Sequence, residues 1–120
     1  MQKRALIIDG DQDAREYLAK IMKELGYEID LHSKAEDALH TIAITDFTVV
    51  FTDSNLGEGK MDGITFARQL VTEMEQSDRP CPRIILMSGL FFSKDDIQND
   101  LITFLMKPIF ISELTRVLRA

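Results

Sequence analysis

The sequence has one cysteine, no tryptophan and three prolines in 120 residues. A lone Cys81 excludes an intrachain disulfide and any zinc site built from several cysteines. It lies between Pro80 and Pro82, a setting that reads as loop packing rather than redox chemistry. Long apolar runs are missing too: nothing approaches the roughly 20 residues that a membrane helix needs. The apolar stretch after the basic pair Lys3-Arg4 ends after four residues at Asp9, too short for the core of a signal peptide. A cytoplasmic protein with no membrane segment is the expectation. Positive charge is also scarce, with 14 Lys and Arg against 20 Asp and Glu, a formal charge of −6. That balance argues against broad attraction to nucleic acid or anionic lipid, although an acidic site would account for part of it.

What is present is the make-up of a globular protein, with 45% apolar and 28% charged residues. The length suits a single domain, residues 1–120, around one core. Phe47-Thr48-Val49-Val50-Phe51-Thr52 is apolar and β-branched and breaks off at Asp53, which reads as a strand buried on both faces. Ala5-Leu6-Ile7-Ile8, ending at Asp9, and Ile84-Ile85-Leu86-Met87, ending at Ser88, read the same way. Tyr27, Ile29 and Leu31 alternate with Glu28, Asp30 and His32, predicting a half-exposed edge strand. Ile102-Thr103-Phe104-Leu105-Met106, closed by Lys107-Pro108, is the last strand.

Helical spacing fills the gaps between strands. Ala14, Tyr17, Leu18, Ile21, Met22 and Leu25 form one apolar stripe, stopped by Gly26. Ser33 with Glu36 predicts a capping box for a second helix, whose buried stripe is Ala35, Ala38, Leu39, Ile42 and Ala43. Asp62 is the expected N-cap of a third helix, with Phe66, Ala67, Leu70, Val71 and Met74 inward. A short helix is expected between Leu90 and Leu101. Ser112 with Glu113 opens the final one, which carries Leu114, Val117 and Leu118 inward.

Strands and helices that alternate in this way imply parallel pairing through helical crossovers. With the alternating second strand at an edge, the pattern predicts an α/β, flavodoxin-like, doubly wound five-stranded parallel sheet of order 2-1-3-4-5, helices on both faces. Ligands bind such sheets at the carboxyl ends of the strands, beside the switch point between strands one and three. Asp9 and Asp53 end those two strands, Ser88 ends the fourth and Lys107 the fifth.

These groups suit phosphoryl chemistry. A carboxylate can attack a phosphoryl group to form an acyl phosphate if a cation offsets the repulsion between like charges. Asp53 is the central candidate. Mg2+ takes oxygen ligands from a few carboxylates and carbonyls together with water and phosphate, which Asp9, Asp53 and the Asn55 carbonyl can offer, with Asp11 as a further candidate. Asp11 and Asp13 also read as helix-start acids favoured by the helix dipole. Lys107 would bring a fixed positive charge to the incoming oxygens, and Ser88 a hydroxyl donor. A phosphoryl group adds about −1.5 to −2 charges, enough to draw Ser88 inward and pass movement to Phe104 on the neighbouring strand.

In this chain order, Ile7-Ile8-Asp9, Thr52-Asp53-Ser54-Asn55-Leu56, Met61-Asp62-Gly63, Met87-Ser88-Gly89 and Met106-Lys107-Pro108 resemble the receiver domain of two-component response regulators. The resemblance covers essentially the whole chain. It implies a signalling domain rather than an enzyme, in which Asp53 accepts a phosphoryl group from a histidine kinase or phosphotransfer protein. Ser88 and Phe104 would match the hydroxyl and aromatic switch positions. The last helices and the fifth strand would form the output face, for a homodimer or an effector.

The sequence departs from that family at the site itself. Gly10 stands where receivers usually carry a second acid that is a direct metal ligand. The loop Gly57-Glu58-Gly59-Lys60 is longer than usual, and the stretch between Ser88 and Lys107 looks shortened. Gly10 supports a second reading, a degenerate receiver that serves as a docking or dimerisation module without phosphorylation. Asp9-Gly10-Asp11, Ser88 and a later lysine also suggest a haloacid-dehalogenase-like phosphatase, but the further acidic pair that such an enzyme wants is absent. Because nothing follows Ala120, the expectation is either a single-domain regulator or a piece excised from a longer protein.

Overall fold

A computed structural model of the chain describes residues 3–56, 61–89 and 101–119. Five parallel strands form one sheet: β1 (Arg4–Ile8), β2 (Glu28–His32), β3 (Val49–Asp53), β4 (Arg83–Ser88) and β5 (Ile102–Met106), in the order β2-β1-β3-β4-β5. The described helices are α1 (Gln12–Glu24), α2 (Ala35–Ile44), α3 (Gly63–Glu75) and α4 (Ile111–Arg119). The expected long loop over 57–60 and the short helix between Leu90 and Leu101 fall almost wholly outside the described residues.

Alternation along the strands splits the apolar side chains between two faces. Leu6, Ile8, Val50, Ile84, Leu86 and Ile102 meet the buried stripes of α2 and α3. Ala5, Ile7, Val49, Phe51, Ile85 and Met87 meet α1 and α4. Phe51 and Phe66, one in each layer, are both fully buried, each stabilising the fold by about 1.5–3 kcal/mol. The central strands β1, β3 and β4 are thus covered on both faces, and the carboxyl ends of the strands are left as an open rim.

Local signals set most of the boundaries. Asp62 caps α3, accepting from Thr65 N at 2.7 Å, and Gly26 at φ 96° supplies the left-handed turn after α1. Several expectations are corrected. Lys34, not Ser33, is the N-cap of α2, and no side chain caps it. Pairing of β2 with β1 runs through His32, so the helix begins at Ala35, one residue too late for a capping box on Ser33. Tyr17 and Leu25 are 48% and 41% exposed, because Ala19 takes the inward place beside Leu18, Ile21 and Met22. Ala43 is exposed, Phe47 and Thr48 precede β3, and Ser112 lies inside α4, which begins at Ile111. Cys81 is exposed rather than packed; partial burial, then Glu75, push its thiol up and keep it protonated.

Candidate acidic site at the carboxyl rim of the sheet

Parallel register brings the strand ends level. Ile8 pairs with Thr52, Asp53 with Met87, and Ser88 with Met106. Asp9, one residue past β1, is 1% exposed, and each of its polar atoms is engaged. Its N–H donates to the His32 carbonyl at 3.1 Å, and its own carbonyl accepts from Arg15 Nη1 at 2.7 Å. Oδ1 accepts from Asp11 N at 2.9 Å, and Oδ2 accepts from Lys107 Nζ at 2.6 Å.

Asp53 is held less tightly. Its Oδ2 is 3.4 Å from Lys107 Nζ, and its Oδ1 lies 3.5 Å from the Asn55 amide, at the limit for a hydrogen bond. Burial raises its carboxyl above the ordinary range; Lys107 works against that rise, and Asp9 adds to it. For Lys107, burial alone would lower the ammonium, but the hydrogen bond and charge of Asp9, followed by those of Asp53, leave it raised and firmly charged. Two carboxylates therefore share one ammonium, and the shorter contact belongs to Asp9.

The backbone under Asp53 is packed without slack. Gly63 N donates to the Ser54 carbonyl at 3.0 Å, and a Cβ on Gly63 would lie 1.7 Å from the Asp53 carbonyl oxygen. Glycine is required there for close approach, while Asp62 beside it caps the same helix. Ser54 N donates to the Met87 carbonyl at 2.8 Å, extending the β3–β4 ladder past the acid.

The structure thus brings Asp9, Asp53 and Lys107 together. Ser88 ends the adjacent strand with only 2% exposure, and its carbonyl accepts from Lys107 N at 2.8 Å. Phe104 sits opposite Leu86 on β5, half-buried against the layer of α2 and α3. Asp11 is the N-cap of α1, accepting from Asp13 N at 3.1 Å, so its side chain is committed to the helix. Asn55 is exposed beside Asp53. Two residues of the rim carry more than the sequence assigned to them. Gly63 was read only as part of the Met61-Asp62-Gly63 motif, because its close approach to Asp53 is not a local signal, and Arg15, reaching back from the first turns of α1, gives no signal of its own. A cleft of about 500 Å³ opens beside the site, lined by Asp9, Ala14, Tyr17, Met87, Lys107 and Ile109 among others.

The donor set suits Mg2+ in a minimal form. Among the described residues no three His, Cys, Asp or Glu side chains cluster as a metal site. Mg2+ is commonly held by one or two carboxylates, with water and phosphate oxygens completing six ligands, and Asp9 and Asp53 meet that requirement.

Comparison with known proteins agrees with the geometry. The family model for the response regulator receiver domain matches residues 5–119. The response regulator receiver protein CpdR of Brucella abortus is 30% identical over 87 residues, covering 72% of this chain and 67% of that protein. A CheY-like receiver domain from Methylobacillus flagellatus superposes with a TM-score of 0.81 at 25% identity, covering 99% of this chain and 98% of the other. The response regulator TrrA of Thermotoga maritima, solved in complex with Mg(2+)-BeF, shares the fold with a TM-score of 0.83 at 23% identity, covering 98% and 97% of the two chains.

Proposed function

This chain belongs to the response regulator receiver domain family, and from that premise we propose that it is a phosphorylation-dependent switch of a two-component phosphorelay. Asp53 is the phosphoacceptor, and the donor is a phosphohistidine on a histidine kinase or phosphotransfer protein. One observation carries the assignment: of the two carboxylates at the rim, Asp9 is buried with both oxygens engaged, while Asp53 is partly exposed and holds only long contacts.

In the transfer, an Asp53 carboxylate oxygen forms a bond to phosphorus as the P–N bond of the phosphohistidine breaks. The imidazole nitrogen leaves with the bonding pair. The donor's histidine is left unphosphorylated and the Asp53 carboxylate is itself the acceptor, so the domain is modified rather than turning over a substrate. Lys107 holds its proton throughout and swings its ammonium from the carboxylates toward the phosphoryl oxygens. Ser88 donates its hydroxyl to the same oxygens, and Phe104 follows it. That motion passes to an output face built from β5 and α4, open to a homodimer or an effector. Mg2+, bound by Asp9, Asp53 and the Asn55 carbonyl, would offset the charge that the phosphoryl group brings, as the Mg(2+)-BeF complex of TrrA suggests. Asp11 could join that set only by giving up its cap on α1. The free thiol of Cys81 suits a reducing compartment, and we assign the switch to the cytoplasm.

The test is incubation with a small acyl phosphate and Mg2+, read by intact mass. A gain of one phosphoryl group that Asp53→Ala abolishes is the expected result. No gain at any Mg2+ concentration would favour the docking module that Gly10 suggests. A gain that survives Asp53→Ala and is lost in Asp9→Ala would point to the phosphatase-like reading.

A further inference from the structure

Gly10 joins the buried Asp9 to the cap of α1 and needs none of glycine's special freedom. Its backbone is outside the left-handed region, and a Cβ placed on it would meet nothing within 4 Å. A residue without a side chain here leaves the Asp9–Gly10 peptide free to rotate unless something else holds it. The group in position to do so is Arg15, whose Nη1 donates to the Asp9 carbonyl at 2.7 Å across the first turns of α1.

We propose that Arg15 is a positioning residue for phosphoryl transfer, fixing the Asp9–Gly10 peptide so that Asp9 keeps Lys107 in place beside Asp53; this rests on the phosphoacceptor reading above. The chain of contacts is short. Arg15 holds the Asp9 carbonyl, the Asp9 carboxylate takes Asp11 N on one oxygen and Lys107 Nζ on the other, and Lys107 stands 3.4 Å from Asp53. Rotation of the one peptide would misplace the rim's shared cation. Arg15 makes no hydrogen bond or ion pair to the acceptor carboxylate or to Lys107, so it acts through Asp9.

The experiment compares wild type with Arg15→Ala, Arg15→Lys and the double variant Arg15→Ala/Gly10→Ala. Two readings are made on the full chain: amide hydrogen exchange at Asp11, whose acceptor is Asp9 Oδ1, and the rate of phosphorylation by a small acyl phosphate. In Arg15→Ala, exchange at Asp11 should quicken and phosphorylation should slow, each by about tenfold, the scale of one lost charge-assisted hydrogen bond. Arg15→Lys should recover most of both effects. The double variant should recover part of them, because a Cβ at position 10 restores stiffness without restoring charge. Wild-type exchange in Arg15→Ala overturns the proposal. So does quickened exchange with an unchanged phosphorylation rate, and so does a double variant no better than Arg15→Ala. If wild type takes no phosphoryl group, the phosphoacceptor reading fails, and the exchange arm still decides whether Arg15 holds Asp9.

Discussion

The two ends of the sheet carry ion pairs of opposite character. Where the strands begin, Arg4 meets Glu28 at 2.6 Å and Asp30 at 3.6 Å, and Arg79 meets Asp46 at 2.9 Å. Arg79 also donates to the carbonyls of Ile42 and Thr45, closing the end of α2, and Arg83 does the same for Val117 in α4. These side chains lie a third or more open to water in the Arg4–Glu28 pair, where such contacts contribute little. Where the strands end, two carboxylates lean on one lysine, and the side chain of Asp9 is 2% exposed. Both ends have more carboxylates than cations in their ion pairs, but where the strands begin the pairs stand in water, which screens the excess. Where they end, the excess sits in a partly dry setting, which costs stability and, under the proposed function, leaves a carboxylate ready for a new partner.

Substitutions should separate the two ends. Lys107→Met is expected to have the largest effect, about 3 kcal/mol lost in urea denaturation, because it strands Asp9 without its counter-ion. A loss no larger than that from an exposed arginine would remove the contrast. The raised ammonium makes this contribution fully present below the ordinary lysine range, and it is lost only as pH rises through the raised value. Gly63→Ala comes next, at about 2 kcal/mol, since its Cβ would meet the Asp53 backbone and α3 would have to withdraw. A crystal structure with α3 and Asp53 unmoved would refute it.

Asp53→Asn should work in the other direction, stabilising the fold by about 1 kcal/mol at neutral pH, chiefly by removing a charge that burial desolvates and secondarily by relieving repulsion from Asp9. Because the native carboxyl is raised, the folded protein binds its proton before the unfolded chain does. Wild type therefore gains stability as pH falls from that raised value to the ordinary carboxylate range, and the advantage of Asp53→Asn shrinks over the same window. Thermal melts across that window would show a constant gap if the assignment were wrong. The smallest effect belongs to Arg4→Met, within about 0.5 kcal/mol and fading with salt.

The strand pattern made the rim legible. Apolar runs that stop at Asp9, Asp53, Ser88 and Lys107 fixed the strand ends, and parallel pairing then levelled them. Sheet order followed from the one alternating strand, β2. Less of the surface could be read, because helical spacing defines a stripe without its width: Tyr17 sits at the edge of the α1 stripe and turns outward, its hydroxyl 3.4 Å from the Ile109 carbonyl. Ser33 has the right chemistry for a cap, but the reach of β2 pairing decided where α2 begins. The need for glycine at position 63 depends on a helix start meeting a strand end ten residues earlier, which no local window contains.

The bond from Lys107 N to the Ser88 carbonyl makes the two groups that the proposed function assigns to the phosphoryl oxygens neighbours on a single rung of the ladder. Of the two strands that share the rung, β4 is flanked on both sides, whereas β5 is an outer strand of the sheet. Under the proposed function, a pull on the rung would be taken up on β5, which has a paired neighbour on one side only, with β4 as the anvil to its spring.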